Sequence, residues 1–135
     1  MRFTYIANNG AQFDSLQELR KHNTQPGAVV FDECTELTWR LAVDNGPPAR
    51  WGYWQRGGDW RLPTVAELVE LWDYSQHGSL IDFEQVHLGQ RSTVWTADQR
   101  PPRSVTVFDL ATGDIHASGY FALHRALLVS DVCPL

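Results

Sequence analysis

The chain is poor in cysteine, short of basic residues and free of long apolar runs, and each shortage narrows what it can be. Its two cysteines, Cys34 and Cys133, lie almost a full chain apart and show neither CxxC nor Cys/His ligand spacing. They read as buried or free thiols, paired only if the protein meets an oxidising compartment. Eleven Lys and Arg against sixteen Asp and Glu leave a formal charge of −5, which repels phosphate backbones. Direct nucleic-acid binding is therefore not expected, and a basic or neutral partner fits better. Acidity of this size also serves simply to keep a small protein in solution. The N-terminal MRFTYIANNGAQF has no apolar run of the length that a secretory leader needs, and no later stretch approaches a membrane span. These features set the expectation of a cytoplasmic protein without a membrane partner, in the host cytoplasm if a phage encodes it.

Catalytic signatures are missing too. The five histidines, His22, His77, His87, His116 and His124, are scattered without HExxH spacing, and no G-x-S-x-G, P-loop or dinucleotide fingerprint occurs. No metal, no cofactor and no enzymatic activity are expected.

What the chain does have is length for a buried core and an unusual stock of large rings. Its 135 residues suit a single domain over 1–135, and six Trp raise the aromatic share to 12%, so big side chains should dominate the packing. Residues 2–6 alternate as a strand does, and Asn8-Asn9-Gly10 closes them with turn chemistry. Ser15 and Glu18 have capping-box spacing, which predicts a helix over 16–22 ended by Pro26-Gly27. Val29–Phe31 and Leu37–Leu41 predict a hairpin across residues 32–36. Residues 44–59, rich in Gly, Pro and aromatics, read as an extended loop of the kind that often carries binding residues. A second capping box, Thr64 with Glu67, precedes apolar residues at helical spacing up to about Tyr74. After a polar connection over 75–92, strands are expected at 93–97, 104–110, 115–118 and 126–129. Helices in the first half and antiparallel strands in the second make an α+β order.

One stretch is distinctive: Trp60-Arg61-Leu62-Pro63-Thr64 with Glu67-Leu68, preceded by Phe31-Asp32 and Thr35-Glu36-Leu37-Thr38-Trp39 and followed by Val94-Trp95-Thr96 and Val107-Phe108. Over residues 29–130 this order resembles the bacterial and phage domain family typified by the C-terminal domain of the Legionella collagen-like adhesin. The resemblance implies a C-type-lectin-like fold, with two helices packed on a small antiparallel sheet and a long-loop region. Fold does not fix function. Two positions depart from the family pattern: Glu36 stands where relatives carry Gly, and Leu128 where they carry Cys, so the family's cysteine pairing does not carry over. Only Cys34 and Cys133 are available for the thiol chemistry of the formylglycine-generating enzymes that share this fold group, and no flanking pattern activates them.

The motif also has a reading that needs no ligand. Trp60 and Leu62 bury their bulk, Pro63 presets the chain, Thr64 and Glu67 cap the helix, and Arg61 pairs with Asp59 or Glu67 or else points outward. Two candidate surfaces remain. Arg50, Trp51, Tyr53, Trp54 and Arg56 combine aromatic faces with cations, chemistry suited to a carbohydrate or glycosaminoglycan. Asp32, Glu33 and Glu36, with Asp109 and Asp114 near another turn, could instead present carboxylates to a protein partner. Protein recognition is the leading expectation, in the manner of a phage or mobile-element inhibitor of a host complex such as an anti-CRISPR, and a glycan-binding adhesin-type domain is the alternative.

Overall fold

The structure, a computed structural model, describes residues 3–22, 28–40, 48–54, 58–75, 93–110 and 112–133. Among these residues it forms a small α+β arrangement of two α-helices and two antiparallel sheets. The first sheet has the order β2-β1-β3-β4-β8, from Gln12–Phe13, Phe3–Ile6, Val29–Asp32, Leu37–Arg40 and Val129–Ser130. The second has the order β5-β6-β7, from Thr93–Arg100, Ser104–Asp109 and Ile115–Gly119. The helices are α1, Leu16–His22, and α2, Val65–Ser75.

Local signals explain most of these elements. Ser15 Oγ accepts the Glu18 N–H at 3.2 Å, starting α1. The capping box of α2 closes in both directions: Thr64 Oγ1 accepts the Glu67 N–H at 3.2 Å, and Glu67 Oε1 accepts the Thr64 N–H at 2.8 Å. Asp98 of β5 adds a third acceptor for the helix start, taking the Val65 N–H at 2.8 Å. In the β3–β4 hairpin, Asp32 Oδ1 accepts the Cys34 N–H and Asp32 O accepts the Glu36 N–H. The turn then needs a left-handed residue, and Glu36 supplies it at φ 59°.

Among the described residues, buried side chains form two clusters. Phe3, Tyr5, Leu19, Val30, Trp39, Leu68, Leu71, Val94, Phe108, Leu127 and Val129 belong to the first. Trp54, Leu62, Trp95, Val105, Val107, Ala126 and Leu128 belong to the second. The clusters divide β5, β6 and residues 126–129 by alternation: Val94, Phe108, Leu127 and Val129 serve one, and Trp95, Val107, Ala126 and Leu128 the other. That is why β6 is buried continuously from Val105 to Phe108 although it belongs to an antiparallel sheet.

The sequence expectations need adjustment in places. The apolar run 126–129 forms ladder pairs only at Val129, since Leu128 O accepts the Arg40 N–H from β4 while Arg125 O accepts the Trp95 N–H from β5. The segment bridges the two sheets, so it cannot be a full strand of either. Strand β2 has two residues, too few to leave a pattern in the sequence, and β5 runs on to Arg100 through an irregularity between Trp95 and Gln99. Of the two readings of Cys34 and Cys133, buried or free, the structure shows free thiols, and both are exposed. Leu41 and the 75–92 connection beyond Ser75, with His77 and His87, lie outside the described residues.

Candidate functional site

Within the stretch expected as a loop over 44–59, Trp51–Trp54 form a turn of 3-10 helix, in which the Tyr53 N–H bonds to Arg50 O at 3.0 Å. Three indoles fasten this segment to β5 and to His124 beyond β7. Trp95 Nε1 donates to Ala49 O at 2.8 Å, Trp51 Nε1 to Thr96 O at 3.0 Å and Trp54 Nε1 to His124 O at 3.4 Å. Ala49 and His124 also exchange backbone bonds at 2.9 and 3.1 Å. Trp54 and Trp95 bury their apolar bodies and Trp51 is half-buried, and each still satisfies its only donor, which suits Trp to this fastening.

The consequence is a division of labour among the aromatics. Trp54 is buried, and Trp51 packs against the second cluster with its ring centroid 5.6 Å from that of Tyr120. Tyr53 stands edge-on to Trp54 at 4.9 Å and remains 44% exposed. Opposite it, the turn after β7 exposes Phe121 at 79% and Leu123 at 52%. Between the two segments lies an open groove of about 670 Å³, lined on one side by Pro48 to Tyr53 and on the other by Tyr120, Phe121 and Leu123. Arg50 holds its guanidinium 5.5 Å from the centroid of the Phe121 ring, a cation–π distance.

Next to the groove-lining Leu123, His124 sits edge-on to Trp95 with centroids 4.6 Å apart, and its Nε2 lies 2.8 Å from Ser118 Oγ. This ring braces that side of the groove against the sheet.

The expected aromatic set is thus only partly brought to one surface. Arg50, Trp51 and Tyr53 line the groove, Trp54 supports it from within, and Arg56 lies outside the described residues. Tyr120, Phe121 and Leu123 were not foreseen, because nothing in a Gly-Tyr-Phe-Ala-Leu turn says which distant segment it will face.

The acidic surface needs a correction. Asp32 is 1% exposed and uses its carboxylate inside the hairpin turn, so it presents nothing to a partner. Glu33 and Glu36 are exposed, with Glu33 accepting the Thr4 hydroxyl at 3.4 Å. Asp109 and Asp114 flank the β6–β7 turn, where Asp114 O accepts the Asp109 N–H at 2.9 Å.

Arg61 turns inward to a carboxylate pair. Its guanidinium meets Glu67 at 2.8 and 2.9 Å and Asp131 at 3.0 and 3.1 Å, so the pairing is with Glu67 and the unforeseen Asp131 rather than Asp59. Burial by itself would raise the Glu67 pKa, but bonds from Arg61 and Thr64 outweigh it and hold the carboxyl below its ordinary value. The bond from Arg61 likewise lowers Asp131.

Among the described residues no group of three His, Cys, Asp or Glu side chains could hold a metal ion, and no helix is long and apolar enough to cross a membrane. Fold and groove together define a small α+β domain with an exposed aromatic cleft held in place by indole bonds. Compared with known proteins, the chain matches no family model, and no curated protein matches it closely enough to count as a relative.

Proposed function

We propose that this chain is a non-enzymatic binding module of C-type-lectin-like architecture that recognises a protein partner through the groove between residues 48–53 and 120–123. The observation that carries this reading is the pairing of exposed Tyr53, Phe121 and Leu123 with a lining Trp51 and a buried Trp54, both fixed by their indole bonds. Large apolar side chains cost free energy in water, and a preformed groove loses little conformational entropy when it is covered. Tyr, Trp, Phe and Arg are also the residue types that dominate protein–protein hot spots. A sugar site would surround its stacking ring with several convergent hydrogen-bonding groups. The lining here offers Arg50 and tyrosine hydroxyls among Pro48, Leu123 and Phe121, which favours an apolar protein surface over a glycan.

The inhibitor reading, in which the chain docks on a host complex in the manner of an anti-CRISPR, rests on this groove rather than on a carboxylate array, because Asp32 is buried. Its test is affinity capture with tagged wild type and a Tyr53→Ala/Phe121→Ala/Leu123→Ala variant. One defined complex retained by wild type and lost by the variant, while a Glu33→Lys/Glu36→Lys variant keeps it, is the expected result. Retention by the groove variant refutes the reading, and selective binding on a glycan array would replace it with the carbohydrate alternative. Alanine at Trp51 or Trp54 is unsuitable for this purpose, since both indoles hold the segment in place.

A further inference from the structure

Strand β7 forms one edge of the second sheet, away from the ladder that joins it to β6. In an antiparallel strand successive residues point their backbone groups to alternate sides. Trp95 turns its N–H away from β6 to Arg125 O, so its pair with Val107 is not hydrogen-bonded, and Val107 faces β7 instead. Two further bonds agree: Thr106 O accepts from Thr96 of β5, and the Asp109 N–H points to Asp114 on the β7 side. The pairs Val107 with His116 and Val105 with Ser118 therefore hold the β6–β7 ladder. It follows that Ile115, Ala117 and Gly119 turn their backbone groups to the outer edge. All three residues are exposed, and among the described residues the only bond to these outward groups is the Ala122 N–H to Gly119 O at 3.1 Å.

The other sheet edges are shorter or occupied. β2 and β8 have two residues each, and the outer side of β5 is taken by Arg125 at Trp95 and by Pro63 at Ala97. β7 has five residues and none of the usual edge protection, neither Lys, Pro nor a bulge.

We propose that β7 pairs with β7 of a second copy of this chain, antiparallel about a two-fold axis at Ala117. Ala117 lies on the outward-facing register, so the two Ala117 residues exchange N–H···O bonds across the axis, and the Gly119 N–H reaches the partner's Ile115 carbonyl. The side chains fit the same register. Ile115, 42% exposed, lies opposite the partner's Gly119, which has nothing within 4 Å of the place a Cβ would occupy. No Asp, Glu, Lys or Arg lies in β7, so two chains of charge −5 meet without like charges at the axis.

Sedimentation equilibrium of the purified chain tests this. The expected weight-average mass rises from 15.4 kDa toward twice that value as concentration goes from about 5 µM to about 500 µM. Ala117→Pro removes an outward N–H without touching a β6 bond, and Ala117→Lys puts like charges at the axis. Both variants are expected to stay at 15.4 kDa over the whole range with unchanged far-UV circular dichroism. If the proline variant misfolds, the lysine variant decides. A wild-type mass that stays at 15.4 kDa throughout, or a dimer that persists in the folded variants, overturns the proposal.

Discussion

Replacing Arg61 with Met tests the ion-pair node that ties the final strand to the start of α2. The substitution keeps the side chain's apolar stem and deletes the guanidinium, which bonds Glu67 at 2.8 and 2.9 Å, Asp131 at 3.0 and 3.1 Å and Leu62 O at 3.2 Å. Asp131 is 71% exposed, so solvent screens that half of the node and it contributes little. Glu67 is 21% exposed and keeps only its bonds to Thr64 once the arginine is gone. A half-buried carboxylate stripped of its charged partner costs about 2–3 kcal/mol, or roughly 6–10 °C in Tm for a chain of this length.

The pH dependence sharpens this expectation. Glu67 and Asp131 are both held below their ordinary values of 4.5 and 3.8, so the stability they contribute is complete above those values and is lost as pH falls through the lower folded ones. Urea denaturation should therefore give a wild-type to Arg61→Met gap that is constant between about pH 5 and pH 7 and closes below about pH 4. A gap under about 0.5 kcal/mol at pH 7, or one that does not narrow in acid, would refute the assignment of Arg61 as the partner that keeps Glu67 ionised.

Three further outcomes are expected. Glu36→Gly should stabilise the protein by about 0.5–1 kcal/mol in the same denaturation assay, because Glu36 occupies φ 59° with its side chain exposed. Gly113→Ala should cost about 2–3 kcal/mol and lower Tm, since Gly113 has φ 79° and an added Cβ would lie 3.0 Å from two atoms of the Trp72 ring. Trp54→Ala should cost about 3–5 kcal/mol whereas Tyr53→Ala should stay within about 1 kcal/mol, a contrast that separates the buried support of the groove from its wall.

Much of the fold was legible because its signals are local. Ser15 with Glu18 and Thr64 with Glu67 announce the two helices through residues three apart, and the turn at 32–36 announces the β3–β4 hairpin. The site was legible only as composition. Composition does not say which rings of the stretch from Arg50 to Trp54 go inward; a 3-10 turn sends successive side chains in different directions, so Trp54 goes to the core and Tyr53 to solvent.

Determined by the sequence alone were the α+β order, both helix starts, the main hairpins and the inward role of most of the Trp60–Leu68 motif. The tertiary structure decided what depends on residues far apart in the chain. Arg61 finds Asp131 seventy positions away, Ala49 finds His124, and the groove exists only because residues 48–53 and 120–123 dock on the same sheet face. Asp32 was expected on a surface with Glu33 and Glu36, but a strand end carries its side chain to whichever side its neighbours cover, and here that side is closed. A cap or turn is chosen by atoms within a few residues of one another, whereas burial and site assembly are chosen by which faces of distant segments meet, and no local pattern encodes that.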